Sequence, residues 1–144
     1  MGRIYVVDDD PDVRHVVIYS LMDLEHEVTV HRDGEAAMEA LLSDPPDALV
    51  LDVMMPGLDG YEVLAQMASW GLQDVTRTVV LTARATATDR KRALKLGADA
   101  FICKPFDPEH LAETVQELLE LSPEDLRQRR ARAVGALAGT LGDS

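Results

Sequence analysis

A chain of 144 residues is the size of one ordinary domain and can bury a core without disulfides or a structural metal. Its 26 acidic against 14 basic residues give a formal net charge of -12, which opposes any general attraction to DNA, RNA or anionic lipid. The one cysteine, Cys103, excludes an internal disulfide framework and a thiolate metal cluster, and it is expected to be a small buried or half-buried residue. With no apolar run near membrane-spanning length and no basic-then-apolar export signal at the start, the sequence predicts a soluble, cytoplasmic protein with no membrane partner.

Residues 3–7 read as a strand, and "DVRHVVIYSLMDLE" sets Val13, Val16, Val17, Tyr19, Leu21 and Leu24 at spacings that suit a helix facing a core. A second strand, "EVTVHR" (27–32), precedes a helix at "GEAAMEALLSD" that Pro45 and Pro46 stop. "DALVLDV" is a third strand, and its nearly continuous apolar run suits burial on both faces. "GYEVLAQMASWG" is a helix ending near Gly71, and "TRTVVLTA" a fourth strand. "DRKRALKLG" is a helix stopped by Gly97, "DAFICKP" a short fifth strand, and "DPEHLAETVQELLEL" a fifth helix with Pro108 in its first turn. Five strand–helix alternations joined by short connections predict an α/β fold: a doubly wound parallel sheet of five strands with helices on both faces.

In such a sheet chemistry collects beyond the carboxyl ends of the strands. Those ends carry Asp8, Asp9 and Asp10 after the first strand, Asp52 after the third, Thr82 after the fourth, and Lys104 with Pro105 after the fifth. Asp52 is followed by "VMMPGLDG", whose Pro56, Gly57 and Gly60 read as turn residues, so the carboxylate is expected to be exposed enough to react. Taken singly, Asp52 is a loop starter, Lys104 a solvated charge, Thr82 a β-branched strand residue and Asp10 a helix cap. Together, carboxylates from two strand ends give the hard oxygen shell that Mg²⁺ takes at roughly 2.1 Å. The predicted ligands are Asp9 and Asp52, with Asp8 acting directly or through water. Lys104 then pairs with Asp52 until a phosphoryl group arrives, and Thr82 can donate to that group. The set suggests a carboxylate that accepts a phosphoryl group.

The ordered strings "VVDDDP", "LDVMMPGLDG", "LTA" and "KPF", spread over residues 3–121, closely resemble the receiver domain of two-component response regulators, the CheY-like superfamily. The resemblance implies strand order 2-1-3-4-5 in a flavodoxin-like three-layer sandwich. It implies that Asp52 accepts a phosphoryl group from the phosphohistidine of a histidine kinase or phosphotransfer protein, or from a small phosphodonor. It further implies Mg²⁺, with Mn²⁺ as a substitute, held by Asp8, Asp9, Asp52 and the backbone carbonyl of Met54. Thr82 and Lys104 would contact the phosphoryl group. Thr82 and Phe101 would switch the face formed by the fourth helix, fifth strand and fifth helix, which signals to a downstream protein or forms a phosphorylation-dependent homodimer. The side chains of Met54 and Arg84 would border the path of the attacking water, and neither organises it, so a long-lived aspartyl phosphate is expected.

Such a protein is a signalling switch and no enzyme in the usual sense, since it catalyses only its own phosphorylation and dephosphorylation. An aspartate-nucleophile hydrolase would need a substrate cap for which the connections leave little material. A constitutive adaptor is normally marked by loss of the acceptor, acid pair, threonine or lysine.

The receiver is assigned to residues 1–121 and a C-terminal extension to 122–144. Ser122, Pro123, Glu124 and Asp125 suit the start of a sixth helix reaching about residue 138. Leu126, Ala133, Val134 and Leu137 give it an apolar stripe, and Arg127, Arg129, Arg130 and Arg132 a basic portion. With no second helix beside those arginines, no direct nucleic-acid contact is expected. The chain reads either as a single-domain receiver or as one excised from a larger DNA-binding, cyclic-dinucleotide or kinase protein.

Overall fold

The structure is a computed structural model that describes residues 2–31, 33–55 and 58–141. Pro56 and Gly57, expected as turn residues, lie outside the described residues. The sheet strands are β1 (Arg3–Val7), β2 (Glu27–His31), β3 (Ala48–Asp52), β4 (Arg77–Thr82) and β5 (Ala100–Cys103). The helices are α1 (Pro11–Met22), α2 (Gly34–Ser43), α3 (Gly60–Ser69), α4 (Ala87–Lys95), α5 (Pro108–Glu120) and α6 (Pro123–Leu141). All sheet pairings are parallel and the order is β2-β1-β3-β4-β5, as the resemblance implied.

Each of the first five helices starts where an oxygen side chain accepts an otherwise unpaired backbone N–H. Asp10 takes the N–H of Asp12, Asp33 that of Ala36, Asp59 that of Tyr61, Thr86 that of Asp89 and Asp107 that of Glu109. Asp10 is therefore a helix cap, with Pro11 behind it. Gly97 ends α4 at φ 100°, a conformation that favours glycine. Gly71, at φ 73°, stands beyond Ser69 and opens a short 3₁₀ turn, Leu72–Asp74.

Alternation along the strands divides the core in two. Tyr5, Val7, Leu49, Leu51 and Val80 face α2, α3 and α4, where they meet Leu41, Leu64 and Met67. Ile4, Val6, Val50, Val79 and Leu81 face α1 and α5, against Val17, Leu21, Leu111 and Leu118. β3 is buried along its whole length, as its continuous apolar run predicted.

Three expectations are corrected. Within α1 only Val17 and Leu21 are buried; Val16 and Tyr19 are exposed, as is Leu24 beyond the helix end, because the stripe that meets the sheet is narrower than the apolar pattern. Cys103 is exposed, because it is the last residue of an edge strand. A two-residue antiparallel ladder, Met54–Met55 with Leu58–Asp59, folds the loop after Asp52 back on itself, which the sequence reading did not foresee.

The sixth helix is present and begins as expected, with the Ser122 hydroxyl accepting the N–H of Asp125. Leu126 is fully buried in the cluster on the α1–α5 face. Arg130 reaches the buried Asp99 carboxylate at 2.5 and 3.0 Å, Arg129 meets Glu117 at 3.1 Å, and Arg127 stands 3.9 Å from Asp74. These arginines are spent on the chain's own acids. Val134 is exposed, so the apolar stripe packs only in its first half among the described side chains.

Candidate functional site at the carboxyl edge of the sheet

The register places the functional residues side by side. β1 and β3 are neighbours, with Val7 opposite Leu51, so Asp8 and Asp52 leave adjacent strands at the same level. On the other side of β3, Asp52 is opposite Leu81, which puts Thr82 one step beyond it, and Thr82 is in turn opposite Cys103, next to Lys104.

Asp8 and Asp52 use their two oxygens in parallel ways. Asp8 Oδ1 accepts the N–H of Asp10 at 2.9 Å, and Asp52 Oδ1 accepts the N–H of Met54 at 2.8 Å, so each carboxylate is anchored by its own loop. The Oδ2 atoms of both lie 2.9 Å from Lys104 Nζ. The directed hydrogen bond from the ammonium goes to Asp52. Asp8 Oδ2 is buried in charge contact only, outside hydrogen-bonding geometry. Asp52 is only 4% exposed, so its carboxylate lies beneath the lysine and is not the open loop acid its turn-rich neighbourhood suggested.

Burial pushes the Asp8 carboxyl above its ordinary range, against the opposing pull of the Asp10 N–H and the Lys104 ammonium. For Lys104, burial acts downward, but the close contacts with the Asp8 and Asp52 carboxylates and their charge outweigh it, and the ammonium is held above its ordinary value. Oxygens of Asp8, Asp9 and Asp52 lie within 4.8 Å of one another, and Asp9 is exposed. An all-oxygen, carboxylate-rich set with one under-satisfied buried oxygen fits a hard divalent cation and does not suit a thiolate- or imidazole-seeking metal.

Thr82 is fully buried, and its hydroxyl accepts the N–H of Arg84 at 3.1 Å. Phe101 is half-buried and packs against the core on the α2–α4 face, and the Met54 side chain is exposed. Gly60 is required by packing: a Cβ there would lie 2.4 Å from the Cα of Val53, the residue after Asp52. Arg84 points into a cluster the sequence reading missed. Its Nε lies 3.2 Å from Asp89 Oδ2, Thr86 Oγ1 donates to that same oxygen at 2.7 Å, and Tyr61 Oη approaches Asp89 Oδ1 at 3.5 Å. The Thr-x-x-Asp spacing at the start of α4, a capping-box pattern, was the available signal.

An acidic pocket with a lysine across it, at the topological edge of a 2-1-3-4-5 sheet, is the arrangement of a phosphoacceptor switch domain. The family model described as "Response regulator receiver domain" matches residues 4–116, and the chain belongs to that family. "Response regulator MprA" of Mycobacterium bovis (strain BCG / Pasteur 1173P2) is 45% identical over 130 residues, covering 90% of this chain and 56% of that protein. The protein of the same name from Mycobacterium avium (strain 104) is 46% identical over 124 residues, covering 85% and 54%. The chain thus spans a little over half the length of these curated relatives. Among solved structures, the Francisella response regulator 1452 receiver domain is 27% identical with a TM-score of 0.78, covering 83% of this chain and 98% of that one. The BeF3-activated DrrB receiver domain is 30% identical with a TM-score of 0.76, covering 84% and 99%. Residues 4–116 thus form a receiver, a signalling module with phosphoacceptor chemistry of the kind histidine kinases activate.

Proposed function

We propose that Asp52 is the phosphoacceptor, that Asp8, Asp9, Asp52 and the Met54 carbonyl hold Mg²⁺ or Mn²⁺, and that Lys104 and Thr82 contact the phosphoryl group. One observation carries the assignment: Lys104 Nζ lies 2.9 Å from both Asp8 and Asp52 while Asp9 completes the acid cluster. An Asp52 oxygen attacks phosphorus, the phosphorus–nitrogen bond of a phosphohistidine breaks, and its electron pair leaves on the imidazole. Lys104 is close enough to follow the charge from carboxylate to phosphoryl oxygen, and the strand register makes Thr82 the neighbouring hydroxyl. A bound divalent cation would supply further neutralisation of the acids and the phosphoryl oxygens.

A groove of about 480 Å³ lined by Val13, Val16, Ala83, Pro105 and Phe106 opens beside Lys104, which supports a protein donor as well as small ones. Thr82 and Phe101 then shift the α4–β5–α5 face between two packings, toward a protein partner or a second copy of the chain. Sedimentation at two concentrations, with and without phosphodonor, separates those outputs. Residues 1–121 serve as the receiver and 122–144 as its extension, acting in the cytoplasm; among the described residues no helix is long and apolar enough to cross a membrane.

The test is intact mass after incubation with Mg²⁺ and acetyl phosphate, for the native chain and Asp52→Ala. A gain of one phosphoryl group that needs both Mg²⁺ and Asp52 is expected. An equal gain in Asp52→Ala, or none in the native chain, refutes the assignment.

A further inference from the structure

Asp89 is anchored independently of Arg84. It is the third residue of α4, its N–H bonds the capping Thr86 hydroxyl at 3.1 Å, and that hydroxyl returns a hydrogen bond to its carboxylate. From α3, the Tyr61 hydroxyl approaches the other oxygen, and Tyr61 itself is buried with the Arg92 guanidinium 4.0 Å above its ring. The Asp89 side chain is 12% exposed, whereas that of Arg84 is 64% exposed. A largely buried, anchored anion thus holds an exposed cation, and an ion pair of that kind opens at small cost.

Arg84 is also tied to the acceptor edge. Its N–H bonds the Thr82 hydroxyl, and β4 runs beside β3 with Leu81 opposite Asp52, so Arg84 leaves the sheet three positions past the acceptor's register partner. A long cationic side chain is thus rooted one strand away from Asp52, and its guanidinium is turned to Asp89.

We infer that Asp89 is a positioning residue for the receiver reaction: by holding Arg84 it keeps the guanidinium off the phosphoryl group and leaves phosphorus open to water. This rests on Asp52 being the phosphoacceptor. In the hydrolysis concerned, water attacks phosphorus, the bond to the Asp52 oxygen breaks, and its electron pair restores the carboxylate. Both water hydrogens leave on inorganic phosphate. A released Arg84 pairs with phosphoryl oxygens and crowds the side from which water enters, so the phosphorylated state lasts longer.

The test phosphorylates four full-length chains with Mg²⁺ and acetyl phosphate, removes the donor, and follows loss of the phosphoryl group by intact mass. The chains are the native one, Asp89→Asn, Arg84→Gln and the double variant. Asn keeps one oxygen for the Thr86 hydroxyl and turns its NH2 toward the Tyr61 oxygen, but carries no charge for Arg84, and thermal melts verify that each variant folds. Decay in Asp89→Asn should slow by roughly two- to fivefold, matching a surface ion pair lost and remade elsewhere. In the Arg84→Gln background the same substitution should change nothing. Unchanged or faster decay in Asp89→Asn, or equal slowing in both backgrounds, overturns the inference. If the native chain takes up no phosphoryl group, the underlying assignment of Asp52 fails instead, and the two failures are read separately.

Discussion

Among the described residues Lys104 is the one cation touching two buried carboxylates, and its removal exposes what they cost each other. Lys104→Ala leaves Asp8 and Asp52 facing each other without compensation, and a loss of about 1–3 kcal/mol in metal-free urea unfolding is expected. Mg²⁺ should restore more stability to that variant than to the native chain. Asp8 gives the opposite sign. Its carboxyl is pushed up by burial, so ionisation at neutral pH opposes folding, and stability from this group is present at low pH and lost as pH rises through the raised value. Asp8→Asn should melt no lower than the native chain without metal, yet gain much less from added Mg²⁺. His31 titrates the other way: burial lowers its imidazole below the ordinary 6.5, against a smaller upward pull from Asp33. As pH falls below about 6.5 the unfolded chain takes up a proton that the folded one resists, so stability drops. His31→Phe, which keeps a ring against Tyr5 at the present 4.7 Å contact, should flatten that acid-side slope in denaturant unfolding.

Among the elements, α6 makes the least expected contribution. Burial of Leu126 and the Arg130–Asp99 pair join it to the sheet's last strand and to the α1–α5 core. Leu126→Ala should cost about 2–5 kcal/mol by cavity formation and should speed amide exchange through 123–133 in particular. Neither partner was legible beforehand. Asp99 stood as the first residue of the expected fifth strand, and only the fold brings it to a helix that begins 24 residues later. What was legible has a local cause. Asp10 caps its helix through a neighbour two residues away, and the β3 run declares its two-sided burial by composition. The acid cluster and lysine were found because parallel strands all end at one edge, so a rule about position substituted for contacts. Exposure of Cys103, burial of Asp52 and the partner of Arg84 depend on tertiary packing, about which neighbouring residues carry little information.

At the scale of the whole molecule, a chain of net charge -12 gathers three of its acids within 4.8 Å, so a divalent cation should stabilise the fold by mass action and do so less at high ionic strength. Three of the four arginines of α6 do not offset this outward, since Arg127, Arg129 and Arg130 face the chain's own carboxylates. The central claim is that this acidic edge converts a phosphodonor into a covalent signal at one residue. The most direct measurement is reductive trapping of the acyl phosphate with borohydride after incubation with Mg²⁺ and acetyl phosphate, followed by peptide mass mapping. Homoserine at position 52, dependent on Mg²⁺ and absent without donor, is the predicted result. Trapping at any other acid, or none at all in a chain that melts as a folded protein, would contradict the account.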